Sequence, residues 1–192
     1  MIELPDKVRA FVALRMSAGA ERALAEFIDE MRREGGDIRW TRTEKLHLTL
    51  RFLGAAVDSS LLAPLADALG LIAAETAPFM IEARGVGAFP NLSRPRVLWA
   101  GLDSDNLVRL AAKVEEAAVR FGFEPETRPY SPHLTIGRVR GMRGWGRVKR
   151  ALEAAALREF GRSMAEEIIL YRSIPKAESY QELRRIRFGA TL

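Results

Sequence analysis

KLHLTLRFLG at residues 45–54 and RPYSPHLTIGR at residues 128–138 share one frame: His-Leu-Thr followed by an aliphatic residue. The first reads His47-Leu48-Thr49-Leu50 and the second His133-Leu134-Thr135-Ile136, and these are the 2 histidines of a 192-residue chain. Both runs read as strands. Side chains in a strand alternate between faces, so His47 and Thr49 share one face while Leu48 and Leu50 take the other. His133 and Thr135 repeat this, with Leu134 and Ile136 turned inward. Each motif thus buries two aliphatics and presents one imidazole beside one hydroxyl. Two matching frames 86 residues apart point to an internal duplication, with one His-x-Thr strand in each half.

The continuations differ. Five residues after His47 stands Phe52, and five after His133 stands Arg138. In a flat strand an odd offset puts both on the face opposite the histidines. They reach a groove beside the imidazoles only where the strand bulges or ends.

Around the motifs, apolar periodicity predicts a mixed chain. Strands are expected at Val8–Met16, Ile38–Trp40, Leu46–Leu53, Phe79–Phe89, Val97–Leu102, His133–Arg140, Ala165–Ser173 and Tyr180–Phe188. Helices are expected from Ser17 to the Gly35-Gly36 pair, from Asp58 to Thr76, from Ser104 through Phe121, and from Arg147 to Glu159. Residues 141–147 (GMRGWGR) read as a glycine-rich loop whose glycines fit no phosphate-loop pattern. Trp40, Trp99 and Trp145 read as core or loop anchors. The order favours an α+β fold with largely antiparallel sheets over a doubly wound parallel one. No linker separates independent domains, so residues 1–192 are expected to form a single two-lobed domain.

Composition removes several chemistries. Without cysteine there is no disulfide, no thiolate catalysis and no ordinary structural zinc site. Two histidines alone make a poor zinc site, and the acids show no metal-ligand spacing. Neither a metal nor a cofactor is expected. No apolar run approaches a membrane span, and the first residues lack the order of a signal peptide, so the expectation is a cytoplasmic monomer without membrane contact. Net charge is +5 but uneven: residues 1–127 carry 16 Lys/Arg against 19 Asp/Glu, residues 128–192 carry 14 against 6. Of the 30 basic residues 25 are Arg, whose planar fork suits phosphate. A polyanionic partner near the C-terminal third follows. Two imidazoles and two hydroxyls facing one groove would suit general acid–base chemistry near neutral pH.

The paired His-x-Thr motifs resemble those of the two-histidine phosphoesterase superfamily. Within it, KLHLTLRFLG, GVGAFPNLSRPRVLWAGL and RPYSPHLTIGR are similar to the bacterial and archaeal RNA 2′,3′-cyclic phosphodiesterases, historically called 2′-5′ RNA ligases. Tyr130 stands where Phe is common, and Ile136-Gly137 replaces a more usual Leu-Ala. The resemblance implies a bilobal fold of two sheets with outer helices, related by a pseudo-twofold axis, with both motifs facing a central cleft. It implies metal-independent opening of RNA 2′,3′-cyclic phosphate ends, tRNA fragments among them, to 2′-phosphomonoesters, with reverse ligation. His47 would be the general acid and His133 the general base. Thr49, Thr135 and Arg138 would hold the phosphate, and Phe52 would lie against the terminal base or ribose. The alternatives are a phosphodiesterase for small cyclic nucleotides or ADP-ribose cyclic phosphates, or a non-catalytic module binding RNA ends.

Overall fold

In the computed structural model, which describes residues 4–189, the first repeat runs β1 (Lys7–Leu14), α1 (Ala18–Arg33), β2 (Ile38–Trp40), β3 (Leu48–Asp58), α2 (Leu62–Ala74) and β4 (Phe79–Phe89). The second runs β5 (Val97–Asp103), α3 (Asp105–Arg120), β6 (His133–Val139), α4 (Trp145–Ala154) and β7 (Glu159–Ala165), and β8 (Glu167–Ser173) and β9 (Gln181–Arg187) follow. All pairings are antiparallel and lie on one path, β7-β4-β5-β6-β3-β1-β8-β9, with β2 beside β6.

That path divides into two four-stranded halves, because β3 and β6 meet at a single register pair, Leu48 with Leu134. The two sheets expected from the sequence are these halves. The halves also exchange strands: β4 of the first repeat pairs with β5 and β7, while β8 returns to pair with β1 and β9. The duplication is therefore interlocked and not two beads on a string.

Alternation along the strands separates a main core from the site. Ala10, Val12 and Leu14 of β1 join Leu48, Leu134, Ile136 and the buried helix residues in one cluster. The intervening Phe11 and Ala13 point the other way, into a smaller cluster with Ile169 and Tyr171, against which Tyr180 packs. The helices cover the aliphatic face of the sheet. In α1, Leu24, Phe27, Ile28 and Met31 form its buried stripe, and the Ser17 hydroxyl caps it by accepting from the Ala20 N–H at 3.4 Å.

Several boundaries differ from expectation. Strand β3 continues past Gly54, which takes φ +149°, and its register with β1 shifts there, so a glycine expected to end the strand only bends it. Asp58 caps a short turn of 3₁₀ helix before α2. Helix α4 begins at Trp145, inside the glycine-rich stretch, after Gly144 at φ +73°; a Cβ at Gly144 would meet the Gly36 nitrogen at 2.9 Å. It ends at Ala154, short of the expected Glu159, and residues 159–165, between that expected helix end and the strand expected from Ala165, form the additional strand β7. EFGRSMA has one large buried apolar residue, Phe160, and no β-branched one, so pairing with β4 and not local propensity makes it a strand. Among the described residues no helix is long and apolar enough to cross a membrane.

Candidate active site

Both motif strands bulge at the same place. In β3, Thr49 pairs with Ala13 and Arg51 with Val12, leaving Leu50 as the extra residue. In β6, Thr135 pairs with Trp99 and Gly137 with Leu98, leaving Ile136 extra. Burial shows the same break in alternation: Leu50 and Arg51 are consecutively buried, as are Ile136 and Gly137. An extra residue reverses the facing of everything after it. Phe52 and Arg138, at odd offsets from the histidines, are thereby brought to the same cavity as the threonines. This cavity, of about 930 Å³, is lined by Thr49, Phe52, His133, Thr135, Arg138 and Tyr130 among others.

His47 is not on that cavity wall. It immediately precedes β3 and is packed between Phe11, at 4.8 Å between ring centroids, and the edge of Tyr180, at 4.9 Å. His133 has a matching neighbour, the edge of Phe89 at 5.0 Å. Each Nδ1 lies 2.7 Å from the carbonyl oxygen two residues earlier, Lys45 for His47 and Ser131 for His133. A carbonyl only accepts, so each Nδ1 carries a proton and donates it. In the neutral ring, Nε2 is then the free acceptor. The two halves thus hold their imidazoles by the same backbone device.

Burial pushes both imidazoles below the ordinary histidine value, with the carbonyl contacts partly opposing it. Arg138 lowers both, and His133 lowers His47 further. The two rings and the guanidinium therefore lie within one another's field. Phe11, packed against His47, belongs to the small buried cluster with Ile169 and Tyr171, so the imidazole rests on apolar surface.

Supporting contacts cross between the halves. Tyr130, from the second repeat, donates its hydroxyl to the Thr49 carbonyl at 3.0 Å, and burial raises its hydroxyl pKa. Arg51, turned inward by the bulge, donates to the Phe52 carbonyl at 3.0 Å and to the Glu124 carbonyl. Its Nε lies 2.5 Å from Glu115 Oε2, an ion pair whose angle falls outside hydrogen-bond geometry. Arg51 thus ties β3 to α3 beneath Phe52. Trp145 is buried with its indole N–H on the Leu92 carbonyl at 3.0 Å, as an anchor should be. Trp40 packs on Gly137, and Trp99 lies over Gly87 with its buried indole N–H lacking an acceptor among the described residues.

Sequence reading missed Tyr180, Phe89 and Phe11 at the histidines. Tyr180 arrives on the segment between β8 and β9, held down where Lys45 Nζ donates to the Ala177 carbonyl at 2.6 Å. Nothing local in the sequence marks that contact. Among the described residues no three potential metal ligands converge.

Duplicated His-x-Thr motifs, with both threonines, His133 and Arg138 on one cavity, are the pattern of the two-histidine phosphoesterases. The chain belongs to the LigT-like phosphoesterase family, whose model matches residues 14–99 and 102–178, one repeat each. It is 31% identical over 179 residues to an RNA 2′,3′-cyclic phosphodiesterase of Methanocaldococcus jannaschii, covering 92% of this chain and 99% of that protein. A protein of the same name from Archaeoglobus fulgidus is 33% identical over 180 residues, covering 92% and 98%. The fold matches a crystal structure of E. coli LigT complexed with 3′-AMP at TM-score 0.74 and 26% identity, covering 95% of this chain and 98% of that one.

Proposed function

We propose that this protein opens RNA 2′,3′-cyclic phosphate ends to 2′-phosphomonoesters without a metal, acting as a monomer in the cytoplasm on substrates that include tRNA fragments. The observation that carries this reading is the matched pair of imidazoles, each with Nδ1–H on a carbonyl and Nε2 without a hydrogen-bond partner among the described residues. In the proposed reaction, His133 Nε2 takes a proton from water as its oxygen attacks phosphorus. The P–O3′ bond breaks, and His47 Nε2–H protonates the departing 3′ oxygen. One water is consumed, and the products are a 2′-phosphate and a 3′-hydroxyl. Thr49 and Thr135 donate to the nonbridging oxygens, and Arg138 offsets the charge that grows on them. Phe52, 37% exposed on the cavity wall, offers a face to the terminal base or ribose.

The acid role requires His47 protonated, whereas in the unliganded site burial, His133 and Arg138 all lower it. An entering anionic phosphate opposes that field and raises His47, so substrate binding itself prepares the acid. With the 5′-hydroxyl of a second strand attacking phosphorus in place of water, the same sequence breaks P–O3′ and leaves a 2′-5′ linkage, which is ligation. The test is incubation with an oligonucleotide ending in 2′,3′-cyclic phosphate, followed by assignment of the phosphate position. The family relationship and the names of its relatives support the substrate class.

A further inference from the structure

Strand β2 puts a second arginine directly beside the arginine of the site. Trp40 and Ile38 pack on the bare backbone of Gly137, where a Cβ would meet each of them at 3.1 Å. That packing sets the register Ile38–Val139, Arg39–Arg138 and Trp40–Gly137. Directly opposite residues share a face, so Arg39 stands next to Arg138, beside the cavity and outside its lining. Continuing across the sheet, Arg138 pairs with Val97 of β5. Arg96, the preceding residue, lines the cavity, and its carbonyl accepts from the Val139 N–H at 3.0 Å. Three exposed guanidinium side chains therefore cross three adjacent strands, a span of roughly 10 Å at ordinary strand spacing.

Among the described residues, Arg39, Arg96 and Arg138 have no acidic side chain within ion-pair distance, although fourteen ion pairs occur elsewhere in the molecule. Like charges opposite one another destabilise a sheet. Their field reaches the site: Arg9, Arg138 and Arg39 all pull on the Tyr180 hydroxyl against the upward push of burial. One cyclic phosphate diester carries one negative charge and balances one of the three. The two left over are placed to meet further phosphates attached to the same substrate.

We propose that Arg39 and Arg96 form a track for the phosphodiesters on the 5′ side of the terminal nucleotide, so that these two residues make affinity grow with the length of the chain. This rests on the reading of the site as one for cyclic phosphate ends. The track would add affinity with the first and second added nucleotides and then level off. It would also make binding salt-dependent, since neutralised phosphates release counterions.

The test uses a mononucleotide, a dinucleotide and a trinucleotide, each ending in a 2′-phosphate, bound to the whole protein by titration at several salt concentrations. The same lengths with cyclic ends serve for kcat/KM. The trinucleotide is expected to have a log Kd against log salt slope steeper than the mononucleotide's by about 1.4, and Arg39→Gln to remove about 0.7 of it. Arg39→Gln and Arg96→Gln should each lower the trinucleotide-to-mononucleotide ratio of kcat/KM roughly fivefold. Equal slopes for all lengths, or variants that weaken all lengths equally, would overturn the track. A cyclic phosphate bearing a pyrophosphate that matches the trinucleotide's affinity would overturn the assignment of the track to phosphodiesters in favour of a small nucleotide. Because the 2′-phosphate ligands need no turnover, absence of hydrolysis would refute the proposed reaction while the binding series still decides the track.

Discussion

Leu48 and Leu134 face each other at the one register pair that joins the two halves of the sheet, and both are fully buried. Each is the residue between the His and Thr of its motif. The core contact that joins the halves is thus built from the same two tripeptides that carry the imidazoles.

Leu48→Ala and Leu134→Ala should each cost about 2–5 kcal/mol by leaving a cavity. Opposite each other at the seam, they should not be additive. A double-mutant cycle in denaturant unfolding is expected to give a coupling of about 0.5 kcal/mol or more. Strict additivity would mean that the seam does not act as a unit.

Arg51 has a structural task on the same strand. Its guanidinium bonds two carbonyls and pairs with Glu115 while almost wholly buried. Arg51→Met should cost about 2–4 kcal/mol, since it leaves these partners bare in a partly enclosed setting. It should also loosen Phe52, whose carbonyl it holds, raising KM more than it lowers kcat. Thermal unfolding and steady-state kinetics check the two parts separately.

The pairing of His47 with His133, the β-rich duplication and the four helices follow from frame and periodicity alone. Phe52 and Arg138 do not, because their facing depends on bulges at Leu50 and Ile136, and a bulge is a property of register between strands. The strand β7 was hidden for a similar reason: Phe160 alone carries its inward pattern, and β4 supplies the rest. Tyr180 lies over His47 through a connection 133 residues away in sequence, which no local pattern records.

The pH dependence follows from burial of the imidazoles. Both are lowered from about 6.5, so both limbs of the kcat/KM profile, which reports the free enzyme, should lie below that value. Rate should then fall as pH rises beyond it. Stability has the matching sign. The unfolded chain binds protons near pH 6.5 and the folded chain only lower, so folding stability is lost as pH drops below that value. A kcat/KM profile still rising above pH 7 would contradict the burial argument.

The proposed reaction assigns no step to a metal. Turnover of a 2′,3′-cyclic phosphate should therefore be unchanged in excess EDTA, and Thr49→Val and Thr135→Val should each reduce kcat by about 10-fold or more through loss of a donor to the phosphate oxygens. Abolition of activity by EDTA, restored by a divalent cation, would point to different chemistry.

Two imidazoles with the same backbone hydrogen bond, given opposite proton tasks in the proposed reaction, are the centre of the account. The most direct measurement gives an oligonucleotide ending in 2′,3′-cyclic phosphate to the wild type, His47→Ala and His133→Ala, and locates the phosphate by phosphorus NMR. The account predicts a 2′-phosphate product from the wild type, with each variant folded and its kcat reduced by at least about 10²-fold. A 3′-phosphate product, or near-normal turnover in either variant, would contradict it.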